Sequence, residues 1–371
     1  MLWEHEVVGS NPIVPTIIVI SCTLMRFKNV IIESMACALP DECWTSAYIE
    51  SCLEPLYERL KLPQGRLAMM TGIEERRCWS RSFLPSEASI LAGKQVLKQS
   101  AIPLDHIDVL IHASVCRDRL EPSTAAYVHR GLHLPSNTQI FDLSNACLGV
   151  LNAMVVGASM IESGSARAVL IVSGENGRPL LDWTLSRLME DKSLTRKTIK
   201  PFFANLTIGS GAVGLLLCHR QYVNVPKPIL LGGIVKTNSD ACTLCEGGVG
   251  AGDHLTMQTE ADKLLTAGIQ LSKEAWNAFQ AEMAWSNETA QCIITHQVGR
   301  QHQKKLYEAL GLDPTKDYST FPFLGNTGSV ALPITLCKAV ENQRIKNMMP
   351  VLLLGIGSGL STIMLGLQWQ K

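Results

Sequence analysis

The segment Phe141-Asp-Leu-Ser-Asn-Ala-Cys147-Leu-Gly149 has the residue types needed for nucleophilic chemistry. An apolar strand closes near Leu143, a short turn follows, and a helical pattern opens at or beside Cys147. A thiol placed there faces unpaired N–H groups and the positive end of the helix dipole, which favours thiolate. The same amides would sit beside an oxyanion formed on an attached acyl group. Taken alone, Cys147 reads equally well as one of twelve cysteines, most of them inert.

Three further residues are candidates. His296 closes the apolar run Cys292-Ile-Ile-Thr-His296, at the C-terminal strand edge where α/β sheets collect ligands and catalytic groups. Asn326 lies in the turn Phe323-Leu-Gly-Asn326-Thr-Gly-Ser, where an asparagine also serves as a turn residue or helix cap. Glu121 precedes Pro122 and, on local pattern, is a helix-start residue favoured by the dipole.

The elements that must position these groups alternate. Runs at 108–115, 139–143, 168–173 and 213–218 are almost continuously apolar and predict strands buried on both faces. Helical patterns fall at 86–99, 123–131 and 147–164, so the expectation is an α/β protein with a mainly parallel sheet. A weak repeat runs through the chain. Leu110-Ile-His-Ala-Ser-Val-Cys-Arg117 is echoed by Ile294-Thr-His-Gln-Val-Gly-Arg300, Ala146-Cys-Leu-Gly-Val by Asn326-Thr-Gly-Ser-Val, and Val169-Leu-Ile-Val-Ser-Gly174 by Val351-Leu-Leu-Leu-Gly355. The offsets are collinear, between 179 and 184 residues, and imply a duplicated half with its join near 220–227. Between the echoes, 259–280 predicts a long amphipathic helix capped by Thr259, and Gly247-Gly-Val-Gly-Ala-Gly252 predicts a flexible surface loop.

Composition excludes several classes. A net charge of zero argues against general nucleic-acid binding, which needs a basic surface. Cysteines scattered singly through a chain of 371 residues predict reduced thiols in a cytoplasmic protein rather than a disulfide framework. Cys242-Thr-Leu-Cys245 has no companion pair, so no metal is expected. No run is long and uncharged enough to span a bilayer. Residues 1–24 look foreign to the rest, and Met25-Arg-Phe-Lys-Asn-Val-Ile-Ile is expected to be the native start.

Taken as a set, Cys147, His296 and Asn326 match the Cys-His-Asn constellation of the ketoacyl synthase III family, which the chain resembles from Met25 to its C-terminus. Supporting motifs are Thr71-Gly-Ile-Glu-Glu-Arg-Arg77, Gly209-Ser-Gly-Ala-Val-Gly214 and Gly355-Ile-Gly-Ser-Gly-Leu360. The resemblance implies a thiolase fold: two βαβαβαββ halves (25–220 and 221–371) in a five-layered αβαβα body, normally a homodimer. It implies no cofactor and no metal, with acyl-CoA or an acyl carrier protein as partner. Cys147 would carry the acyl group. One oxyanion hole would use the backbone N–H groups of Cys147 and Ser358, the other the side chains of His296 and Asn326. Arg77, Trp79, Phe203 and Gly357 fall where the family contacts substrate.

The segment Ala113-Ser-Val-Cys-Arg-Asp-Arg-Leu-Glu121-Pro-Ser-Thr-Ala resembles the branch that condenses two acyl-CoA molecules head to head in long-chain olefin biosynthesis. There a glutamate at the place of Glu121 acts as base in the partner subunit's site. The pair Gly149-Val150 and the Asn326 loop depart from that branch. A malonyl-dependent initiation synthase and a non-catalytic acyl-binding paralogue are the alternatives.

Overall fold

The computed structural model describes residues 25–249 and 255–371. The expectation for 1–24 lies outside them. Nine strands matter: β1 (Val30–Ala38), β2 (Ile107–Ala113), β3 (Gln139–Leu143), β4 (Ala168–Glu175), β5 (Gly211–His219), β6 (Ile229–Thr237), β7 (Cys292–Thr295), β8 (Pro350–Gly357) and β9 (Ser361–Gln368). They lie in the order β7-β8-β9-β6-β1-β5-β4-β2-β3, and the short strand Met25–Arg26 pairs with β6. Seven of the helices among the described residues matter with them: α1 (Pro85–Gln99), α2 (Thr124–Leu132), α3 (Gly149–Glu162), α4 (Arg178–Glu190), α5 (Ala261–Met283), α6 (Arg300–Leu310) and α7 (Ala331–Glu341).

The duplication is visible in the pairing. The run β1-β5-β4-β2 is antiparallel, antiparallel, parallel, and so is β6-β9-β8-β7. The two runs join through the pair Ile31↔Ile229. Each sequence echo falls on equivalent elements: β2 with β7, β4 with β8, and the turns before α3 and α7. β3 adds a parallel edge strand beside β2. In the second half that place holds only an isolated bridge, Ile293↔Asp317.

Alternate side chains leave opposite faces of a strand, so a run that is apolar throughout needs cover on both sides. In β2, Val109 and Ile111 enter the central core, which α3 and α7 fill from between the two sets of strands. Leu110 faces the other way, into a layer with α1 and α2. Beyond the second set of strands, α5 and α6 supply the matching outer layer through Trp276, Phe279, Leu306 and Leu310. The result is the expected αβαβα body. A cap built from residues 44–78, α4 and residues 194–206 has its own core around Trp44, Leu56, Leu181 and Leu206.

Three local expectations are corrected. α3 starts at Gly149, two residues after Cys147, because the chain first makes a tight turn there. α5 begins at Ala261 with Glu260 as its cap, since Thr259 closes a strand. Of the glycine-rich segment, Gly247–Val249 lie in a strand, since Cys245–Val249 pairs antiparallel with Leu255–Thr259, and 250–252 lie outside the described residues. Among the described residues no helix is long and apolar enough to cross a membrane.

Candidate active site

After β3 the backbone turns sharply. Leu148 N–H donates to Asn145 O (2.9 Å), Gly149 N–H donates to Ala146 O (3.3 Å), and Asn145 Nδ2 donates to Asn152 Oδ1 on α3 (2.9 Å). Ala146 adopts φ +45°, a left-handed conformation that costs a residue with a Cβ of order 1–3 kcal/mol. This strained elbow lifts Cys147 off the helix. Among the described residues the Cys147 N–H donates to no other residue. Strand β8 runs directly alongside. A Cβ on Gly357 would lie 3.4 Å from Cys147 N and 3.1 Å from Leu148 Cγ, and one on Gly355 would lie 2.7 Å from Leu148 Cδ2. Glycine at both positions leaves room for this close approach, and a side chain there would press on Leu148. Ser358, half-buried, follows Gly357 and opens the turn into β9.

The thiol does not have the lowered pKa expected from the sequence. Burial pushes it up to about 12, and the negative charge of Glu175 and the nearby Cys245 add to the rise. With α3 starting two residues later, the helix amides do not offset the loss of water around sulfur.

His296 follows β7, and its N–H donates to Leu354 O of β8 (2.9 Å). Its imidazole is buried and held neutral, its pKa lowered to about 3 by desolvation and then by His302. Nδ1 has no hydrogen-bond partner among the described residues. Thus one strand, β8, carries both contacts, with Leu354 at His296 and Gly357 at Cys147.

Asn326 is pinned on three sides. Its N–H donates to Thr207 O (2.9 Å), its carbonyl accepts from Gly209 N–H (2.9 Å), and Oδ1 accepts from Gly328 N–H (3.0 Å). Only the Nδ2 donor is left to act on a ligand. The approach depends on glycine. A Cβ on Gly325 (φ +66°) would fall 2.4 Å from Thr207 O, and one on Gly209 would fall 2.2 Å from Leu324 O. That accounts for Gly209 in the motif near the end of the first half.

The other sequence candidates lie further out. Glu121 is exposed in the loop between β2 and α2, beside Leu120 (93 % exposed) and Val115 (50 %). In the single chain no hydrogen bond or ion pair joins it to the Cys147 turn. Arg77 is half-buried, reaching Asp41 O (3.2 Å) and Glu75 (3.5 Å). Its neighbour Arg76 is the buried one, donating to Trp44 O (3.2 Å) and Ser46 Oγ (3.1 Å). Trp79 stacks on Phe83 with ring centres 4.7 Å apart. Phe203 lies under the Arg66 guanidinium and helps enclose a small apolar cavity with Leu53, Leu56, Leu188 and Leu206.

One residue was missed from sequence: Glu175, which ends β4 fully buried and raises the Cys147 pKa. Its signal was an acid closing a strand whose other residues pack on both faces.

A half-buried thiol on a strained elbow after β3, a neutral imidazole after β7 and a pinned amide in the turn before α7, in a duplicated αβαβα body, are the parts of a thiolase-type condensing enzyme. Family models agree: residues 141–194 match 3-oxoacyl-[acyl-carrier-protein] synthase III and 281–369 match its C-terminal part. The chain is 36% identical over 351 residues to the acyl-CoA:acyl-CoA alkyltransferase of Shewanella oneidensis, covering 93% of this chain and 100% of that one. It is 25% identical to a beta-ketoacyl-[acyl-carrier-protein] synthase III of Streptomyces coelicolor, over 91% of this chain and 97% of that one. The crystal structure of cerulenin-bound OleA from Xanthomonas campestris superposes with a TM-score of 0.88 at 32% identity, covering 93% of this chain and 98% of that one. The chain belongs to the 3-oxoacyl-[acyl-carrier-protein] synthase III family of condensing enzymes, on the side that includes the acyl-CoA:acyl-CoA alkyltransferases.

Proposed function

We propose that this enzyme joins two acyl-CoA molecules by a Claisen condensation without decarboxylation, through an acyl group carried on Cys147. Cys147 sulfur adds to the thioester carbonyl of the first acyl-CoA. The carbon–sulfur bond to CoA breaks, and CoA leaves as a thiol carrying the proton from Cys147. The backbone N–H groups of Cys147 and Ser358 hold the transient oxyanion. Glu121 of the partner subunit then removes a proton from the α carbon of a second acyl-CoA. The enolate adds to the acyl carbonyl on Cys147, the carbon–sulfur bond breaks, a 2-alkyl-3-oxoacyl-CoA is released with sulfur as thiolate, and the proton taken by Glu121 returns to that sulfur to restore the neutral thiol and the carboxylate. His296 and the Nδ2 of Asn326 hold the enolate oxygen.

The observation that best supports this reading is the Asn326 turn, whose three backbone and side-chain bonds leave only the Nδ2 donor free, while His296 is a neutral, buried imidazole that would supply the second donor. Donors of that kind stabilise developing negative charge where water is excluded. Asn326→Ala keeps both backbone bonds and loses the Nδ2 donor together with the Oδ1 acceptor of the Gly328 N–H. The expected result is a fall in kcat of about 10²–10³, with acyl transfer to Cys147 preserved.

Homodimer formation and a base supplied in trans are part of the proposal. Edge strand β3 leaves Ile140, Phe141 and Leu143 only half-buried, and the Glu121 loop projects exposed apolar residues nearby. An unpaired edge of this kind suits two-fold addition of a second β3. The eleven described cysteines are all free, which fits a reducing cytoplasm.

The deciding experiment incubates purified enzyme with long-chain acyl-CoA alone, then with malonyl-carrier protein added. Condensed product and free CoA from acyl-CoA alone are expected. Strict dependence on malonyl, with release of carbon dioxide, would assign the decarboxylative reaction instead.

A further inference from the structure

Glu175 is 3% exposed and is used by no step above. Its Oε1 accepts from Val115 N–H (2.8 Å), from Ser329 N–H (3.3 Å) and from Ser329 Oγ. Its Oε2 accepts from Cys116 N–H (3.0 Å). Gly328 permits the approach, because a Cβ there would lie 3.3 Å from Glu175 Cδ. With its one proton on Glu175, Ser329 Oγ can accept from Ser173 Oγ (2.9 Å), and Ala113 O lies 3.2 Å away as the alternative acceptor.

These contacts join two segments far apart in sequence. Val115 and Cys116 open the loop that carries Glu121. Ser329 lies three residues after Asn326, next to the Gly328 N–H that fixes the Asn326 amide. One carboxylate thus clamps the loop of the proposed base to the turn of the proposed enolate donor, across the two halves of the fold.

We infer that Glu175 is a positioning residue for the carbon–carbon bond-forming half-reaction, setting the Glu121 loop and the Asn326 turn in register. It is not itself the base: both its oxygens face donors inside a closed cradle, and none of its contacts is open to a ligand. The inference rests on the roles proposed for Glu121 and Asn326. A donor-only cradle needs an acceptor on both arms, and a glutamine would turn its NH₂ group toward N–H or O–H donors.

The test separates the two half-reactions in wild type, Glu175→Gln, Glu175→Asp and Ser329→Ala, each as full-length enzyme. Acyl transfer is read from the intact mass of acyl-Cys147 protein, and condensation from product formation and from α-deuterium exchange into acyl-CoA in D₂O. Glu175→Gln is expected to acylate within about 3-fold of wild type while condensation and exchange fall about 10²-fold at unchanged KM. Glu175→Asp, which keeps the charge on a shorter arm, should recover part of the loss. Ser329→Ala, which loses a single donor, should lower condensation alone by about 10-fold. Condensation at the wild-type rate in Glu175→Gln would overturn the inference. So would an equal fall of both half-reactions in Glu175→Gln and Ser329→Ala, which marks a role in stability only. A wild-type enzyme that forms no acyl-Cys147 would overturn the functional reading itself, and this inference with it.

Discussion

Cys147→Ala enzyme is expected to take up no acyl group from acyl-CoA and to lose condensation by at least about 10⁴-fold, because the proposed reaction carries its covalent intermediate on that sulfur. Intact mass after incubation with acyl-CoA reads the first effect and product formation the second. Retention of the acyl adduct in the variant would place the nucleophile elsewhere. Folding should be unchanged, since the elbow is held by Leu148 N–H, Gly149 N–H and the Asn145–Asn152 bond, none of which involves sulfur.

The resting state of the thiol gives this prediction a pH dependence. Cys147 is pushed up to about 12 and His296 lowered to about 3, so both are neutral near pH 7. The pair is therefore not a preformed thiolate–imidazolium. Alkylation of the free enzyme by iodoacetamide should keep rising with pH and show no plateau below about pH 10, as the thiolate fraction grows toward a high pKa. Glu175→Gln, which removes a negative charge that raises this pKa, should move the profile toward lower pH. In the proposed reaction the proton then leaves sulfur as the oxyanion develops, which puts weight on the amides of Cys147 and Ser358 proposed to hold it. A plateau near pH 7 would show that the thiol is ionised in the resting enzyme.

What could be read from sequence, and what could not, follows from the range of each force. The strands were legible because burial on both faces writes a local pattern, and the three echoes landed on β2/β7, β4/β8 and the two turns because a duplicated half repeats that pattern. Cys147, His296 and Asn326 stand out as a set in the sequence through their order and motifs, and their joint role is the proposal made above. The chemistry of Cys147 was not legible. Its pKa depends on desolvation by β8 and on the Glu175 charge, both distant in sequence, and on a left-handed Ala146 that displaces the helix start to Gly149. Of two adjacent arginines, the resemblance singles out Arg77 for substrate, and the pairing of Cys43–Thr45 with Glu75–Arg77 turns Arg76 inward and leaves Arg77 half-buried. Glu175 escaped notice because its four donors come from residues about 60 and 154 positions away in sequence.

Glu121→Ala enzyme is expected to keep acyl transfer to Cys147 and to lose condensation of acyl-CoA alone by about 10³-fold or more, within the range of a general base removed from a weakly acidic α proton. Exposure of Glu121 in the single chain makes the trans arrangement the point to test. Glu121→Ala and Cys147→Ala subunits, each inactive alone, can be mixed under conditions that exchange subunits. If Glu121 serves the partner's site, one of the two sites in each mixed dimer combines an intact Cys147 with an intact Glu121. Half the dimers are then mixed and each has one working site, so the mixture should recover up to about a quarter of wild-type activity. If Glu121 served its own subunit, every site in the mixed dimer would still lack one group. The mixture would then stay inactive. Recovery that also survives in Glu121→Ala/Cys147→Ala double-variant mixtures would reject both arrangements, because those dimers hold neither group.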